Sequence, residues 1–424
     1  MMKFNLYLFL IVMKKHLYYI VFLFPVILSS CKQNIPEQQN WQWRGENRDG
    51  IYSNETNLLK AWPTGGPELL WHFDGLGEGH TSVAIANGKI YITGMHDDRL
   101  ILYVLDMAGK LLVEKEIGKE WNTNWNGTRS SVDVNDGKLY IFNALGNLYC
   151  LDEATLNVVW TKDLLSDFDG INLRFGITEN PLIVDDKIIM TPGGEVHNMV
   201  ALNKHTGELI WTSVGEGEPS AYCSPLLIKG YSAPMVVTST ASHILAFNAD
   251  TGEKLWSHTQ SNAPFNIHPN VPVYSDGMIF TSTGYNGGSM MLRLINNGRA
   301  VEQVWKNDSV DNQMGSSIRV GDYLYLSGHR NRYWFCLDWN TGETMYRTDD
   351  SGECNVIYAD GMLYVYSDRG TMSLVKPNPE RYELVSSFEV TLGTNQHWAH
   401  PVIYEGIMYL RHGDTLMAYK IKQQ

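Results

Sequence analysis

Redox or hydrolytic chemistry needs particular side chains at particular spacings, and this chain offers few. His397-Trp398-Ala399-His400 places two imidazoles three residues apart. In an extended segment those side chains point to opposite faces, so no metal site is expected there. Neither Gly-x-Ser-x-Gly nor His-Glu-x-x-His occurs, and the five cysteines include no Cys-x-x-Cys and no adjacent pair. Carboxylate pairs such as Asp97-Asp98 and Asp349-Asp350 fall near turns, where solvated charge is the ordinary outcome. No catalytic constellation is expected.

The more informative polar residues are spread along the chain, each just ahead of an apolar hairpin. They are His80, Arg129, Asn180, Tyr222 with Ser224, His268 with Asn270, Ser316, Asn355 and His400. Between the first two lies Trp121-Asn122-Thr123-Asn124-Trp125-Asn126. If a closed fold gathers these positions, His, Arg, Asn and Tyr can hydrogen-bond a polar ligand while the tryptophans stack on a sugar or a flat ring. Arg129, His268 and His400 are expected around one opening.

Two repeating signals predict what would gather them. The first is a strand, a tight turn and a strand, with turns at Asn87-Gly88, Asp136-Gly137, Asp185-Asp186, Lys229-Gly230, Asp276-Gly277, Gly321-Asp322, Asp360-Gly361 and Glu405-Gly406. Most carry Gly, Asp or Asn, which tolerate the positive φ of hairpin turns. The second reads apolar-x-Asp/Asn-x-x-Thr-Gly-x-x-x-Trp, clearest at Ala201 to Trp211 and Ala246 to Trp256, and weaker at Cys150 to Trp160 and Cys336 to Tyr346. Four strands per unit and a period of about 40 to 50 residues predict a β-propeller. At one end Glu68-Leu69-Leu70-Trp71 is a fourth strand lacking the first three. At the other, Ile403 to Ile421 supplies three strands and stops before the tryptophan. The two fragments make one blade, giving an all-β, eight-bladed propeller over residues 67–424 that pairs its N-terminal strand with its C-terminal blade and so removes the open edges.

Composition agrees. Apolar residues at 44%, with 38 Gly and 13 Trp, suit many short strands with tight turns. The formal charge is −13, and the three lysines of the first thirty residues leave −16 on the rest, which repels phosphate backbones. Nucleic acid is therefore excluded as an expected partner.

The N-terminus reads as a targeting segment. Met13-Lys14-Lys15 is basic, Leu17 to Leu28 is almost wholly apolar, and Leu28-Ser29-Ser30-Cys31 has the order of a lipoprotein processing site. Residues 1–30 are expected to be removed, with translation starting at Met1 or Met13. Cys31 is expected to carry lipid, and residues 31–66 to form a tether and leader. Cys150 and Cys336 stand at equivalent apolar strand positions as small core residues, while Cys223 and Cys354 pair only if the fold joins them.

Trp41-Gln42-Trp43-Arg44-Gly45, Asp49-Gly50 and Leu58 to Trp71, with Asn126-Gly127-Thr128-Arg129, Thr191-Pro192-Gly193-Gly194 and Ala399-His400-Pro401, resemble pyrroloquinoline-quinone-like propeller lipoproteins. The resemblance covers nearly everything after Cys31. It extends to the BamB-like propeller subunit of the outer-membrane protein assembly machine, whose leader lacks the Trp-Arg-Gly motif, and to the quinoprotein alcohol dehydrogenase-like superfamily. It implies a non-catalytic binding or scaffold module of the cell envelope, lipid-anchored and periplasmic at the inner or outer membrane. Its partners would be envelope proteins or a small polar ligand. The alternatives are a quinone-dependent dehydrogenase-like enzyme or a carbohydrate-binding protein using the channel mouth. A dehydrogenase of this superfamily needs a vicinal disulfide, a calcium site and an Asp base. The vicinal cysteines are missing, so no cofactor is expected, with pyrroloquinoline quinone and calcium as the alternative.

Overall fold

The hairpin turns close as their residues require. Asn87, Asp136, Asp276, Asp360 and Glu405 take φ of 46–53°, each followed by a glycine at positive φ. This double left-handed step matches the twist of the strands it joins. The computed structural model describes residues 39–260, 267–314 and 317–423. Cys31 and Ser316 lie outside them.

Eight sheets follow in chain order. Blade 1 runs Ala84–Ala86, Lys89–His96, Arg99–Asp106 and Leu111–Lys119, from the inner strand to the outer. The core lies between blades. Leu102 and Val104 of blade 1, for instance, pack with Leu139 and Leu151 of blade 2.

The Thr-Gly…Trp signal has a physical explanation. Asn248 Oδ1 accepts from the amides of Asp250 and Thr251 at 2.8 and 3.2 Å, which folds the outer turn. Gly252 then sits at φ 74°, where a Cβ would lie 2.5 Å from the ring of Trp211 on the preceding blade. That indole donates to Ala249 O at 3.2 Å. Trp160 repeats the pattern against Gly207 and Lys204 O, and Trp305 against Gly342 and Trp339 O. Each tryptophan thus locks its blade to the next.

Closure is shared between the chain ends. Glu68–Phe73 lies antiparallel to Thr415–Lys420, with Leu69 opposite Tyr419 and Trp71 opposite Ala418. It completes the blade formed by Val402–Tyr404, Ile407–His412 and Thr415–Lys420.

The leader is part of this body. Trp41 bridges Val134 on the inner strand of blade 2, with both amides donating at 2.8 Å. Ile51–Tyr52 runs parallel to Cys354–Ala359 as a fifth, innermost strand on blade 7. Gln39 meets Asn87 and Leu58 meets Asp360, both in hairpin turns at the end of the channel far from the strand entrances. The chain therefore rises into the channel from the turn end, bends at residues 43–50 and leaves at the same end. The four described cysteines are free and buried. Cys223 and Cys354 do not pair, and Cys223 Sγ lies 3.3 Å from Asn270 O instead.

Candidate functional site

At the strand-entrance end the leader's bend forms the floor of a cavity of about 420 Å³. Trp43 faces it from below. Its amide donates to Asp133 at 3.3 Å, and its ring meets His400 edge-on at 5.0 Å. Arg48 holds the bend in place, donating to the carbonyls of Asn180 and Pro225 at 3.0 and 3.2 Å and to that of Pro181. The bend needs Gly50, because a Cβ there would press on the Arg44 guanidinium at 2.7 Å.

Of the residues expected at the mouth, His80, Trp125, Arg129, Asn180, Tyr222 and His400 line this cavity, as does Ser224. Three expected residues do not. His268 is buried, with Nε2 2.9 Å from Ala241 O. The amide of Asn270 donates to Ser282 O and Asn312 O at 3.1 and 2.8 Å. That of Asn355 donates to Trp398 O at 2.7 Å. Each is buried and satisfies backbone oxygens that the strand ladders leave over. Arg129 also differs from expectation. Its guanidinium donates to the carbonyls of Asn124, Trp125 and Gly127 at 2.6–3.0 Å. It therefore straps the Trp125 loop in place.

Sequence reasoning missed several lining residues. Trp398 lies tilted against Trp125 and His80, with ring centroids 5.1 and 5.0 Å away. Its signal was its place in the His-Trp-Ala-His run. Trp121, expected beside Trp125, instead donates its indole N–H back to Asn124 O at 2.9 Å. Tyr285 and His329 come from loops after the second strands of blades 5 and 6, with ring centroids 4.8 Å apart. Glu353 accepts from His329 Nδ1 at 2.9 Å and lies 3.6 Å from Arg332.

The aromatic residues at positive φ among the described residues all meet here. Trp125, Tyr222 and Tyr285 all line the cavity, and all are left-handed, at φ 45, 67 and 53°. For bulky residues this conformation costs roughly 1–2 kcal/mol each. Such strain tends to cluster at functional sites. Burial, followed by the charges of Arg129 and Arg411, lowers the pKa of His80 to about 3, so its ring is neutral at ordinary pH. Both its nitrogens are buried and face the Trp125–Asn126 backbone without closing a hydrogen bond.

A family profile described as outer membrane protein assembly factor BamB matches residues 109–348 and 223–380. The chain belongs to that family. It is 27% identical to the BamB of Shewanella oneidensis over 68% of this chain and 72% of that one. The BamB of Moraxella catarrhalis superposes with a TM-score of 0.62 at 13% identity, covering 84% of this chain and all of that one. Quinohemoprotein alcohol dehydrogenase from Comamonas testosteroni shares the fold, with a TM-score of 0.59 and 12% identity over 89% of this chain and 79% of its own.

The dehydrogenase likeness raises the question of a quinone. Pyrroloquinoline quinone is a tricarboxylate held beside a divalent cation. Of the lining residues only Arg129 is a fixed cation, and its donors go largely to loop carbonyls. Among the described residues no three His, Cys, Asp or Glu side chains gather as a metal group. This donor set does not fit the quinone–calcium pair.

Proposed function

We propose that this protein is a non-catalytic scaffold of the bacterial cell envelope, with an assembly role of the kind its BamB relatives are named for. The observation that carries this reading is the alignment with the Shewanella oneidensis factor over about two thirds of both chains. Tryptophan locks between blades and a leader packed into the channel make a stiff disc, suited to presenting loops to partner proteins. The quinoprotein ethanol dehydrogenase of Pseudomonas aeruginosa aligns over only 22% of its own length, which favours the scaffold over an enzyme.

Deleting the gene in its host should lower the abundance of outer-membrane β-barrel proteins, and a plasmid copy should restore it. Unchanged abundance overturns the assembly role. The lipid anchor belongs to the same proposal and rests on Leu28-Ser29-Ser30-Cys31. Cys31→Ala should move the protein out of the membrane fraction. Incorporation of labelled fatty acid into that variant would put the modification elsewhere.

A further inference from the structure

The axial cavity carries features that a scaffold does not require. Three aromatic residues are held in left-handed backbone around one space, and one of them, Trp125, is strapped down by Arg129. Trp125 keeps 51% of its surface exposed and lies tilted against Trp398, so two indole faces form one wall. Opposite chemistry is close by. His80 and Gln313 also line the cavity; Oε1 of Gln313 is buried without a hydrogen-bond partner, whereas the ring nitrogens of His80 face the Trp125–Asn126 backbone.

The charges in the wall are already occupied. Arg129 binds loop carbonyls, and Glu353 is matched by His329 and Arg332. An ionic ligand finds the hydrogen-bonding atoms of these groups largely committed. A wholly apolar one would leave the Gln313 oxygen without a partner. A pyranose answers both demands. Its C–H face stacks on an indole, and its hydroxyls both donate and accept. A cavity of about 420 Å³ is of the size that encloses one or two such rings.

We propose that the axial cavity binds a neutral saccharide of one or two pyranose rings, stacked on Trp125 and Trp398 and hydrogen-bonded to Gln313. The sugar is either a free disaccharide or the end of a wall glycan, and the two share this chemistry. The site is independent of the assembly role, so either can fail without the other.

The test is a titration of the full folded protein with maltose, cellobiose and N,N′-diacetylchitobiose, followed by tryptophan fluorescence and calorimetry. Saturable one-to-one binding of at least one sugar is expected. Trp125→Ala should weaken it about tenfold while the melting temperature stays near the parent's. Preference for diacetylchitobiose points to a wall glycan, and preference for maltose or cellobiose to a free sugar. No binding of any of the three at millimolar concentration overturns the proposal. So does an affinity that Trp125→Ala leaves unchanged, and so does binding of pyrroloquinoline quinone with calcium in place of the sugars.

Discussion

The guanidinium of Arg44 lies 2.9 Å from Nδ1 of His400, joining residues 356 positions apart across the channel. A guanidinium only donates, so Nδ1 accepts and the ring carries its proton on Nε2, 3.1 Å from Met314 O. Burial, together with the Arg44 charge, holds the pKa of His400 well below the usual imidazole value. The leader and the last blade thereby specify one tautomer in each other's presence.

This pair predicts that the leader is a stability element. Arg44→Ala leaves a buried Nδ1 unmatched and should cost about 2–4 kcal/mol in urea unfolding. A double-mutant cycle with His400→Ala should give a coupling of about 1–3 kcal/mol. Additive effects would mean that the leader merely rests in the channel.

Ring closure predicts an all-or-none response to truncation. Removing residues 403–424 strips Glu68–Phe73 of its partner and opens the ring between blades 7 and 1. Cooperative melting should be lost. A single sharp transition near the parent temperature would refute closure by the shared blade.

The tryptophan locks predict unequal costs for the same substitution. Gly230 and Gly252 both have positive φ, at 96 and 74°, but a Cβ at Gly230 meets nothing within 4 Å. Gly230→Ala should cost about 1 kcal/mol, from its left-handed backbone alone. Gly252→Ala also drives a methyl into Trp211 and should cost about 2–4 kcal/mol. Equal losses would remove the packing explanation of the Thr-Gly motif.

Buried acids beneath the cavity predict a fall in stability above neutrality. Burial raises Asp133 to about 7 and Glu179 to about 8, against an opposing pull from Arg48 on both. Carboxyl groups raised in the folded state contribute stability that is complete below their unfolded values and lost as pH rises through 7–8. Burial lowers His80 to about 3 and His268 to about 4. Histidines lowered in this way contribute stability present above about 6.5 and lost as pH falls toward those values. From about pH 7.5 to 8.5 the histidines are largely neutral in both states, and of these groups only the carboxyls act. The melting temperature should therefore fall across that interval, and Glu179→Gln should flatten the fall. A rise in the parent protein would contradict the burial argument.

Fold class was legible because its determinants are local. Asp136-Gly137 and Asp360-Gly361 specify left-handed turns within two residues, and the Asn203 to Trp211 segment carries its turn cap, its glycine and its locking ring within nine positions. The lone strand ending at Trp71 and the truncated last repeat even announced how the ring closes.

The site was legible only in part, because strand entrances alternate. One step of phase turns a side chain from the channel to the inter-blade core. Phase kept His80, Asn180 and His400 at the mouth and sent His268 and Asn270 away from it, whereas Asn355 shares the phase of Asn180 and His400 but is fully buried, with its amide on Trp398 O. The meeting of Trp125 with Trp398, and the rise of the Trp-Arg-Gly leader into the channel, join segments hundreds of residues apart. No local preference encodes those contacts. They exist because closing eight blades into a ring leaves one axial space, and residues from both ends of the chain fill its floor and wall.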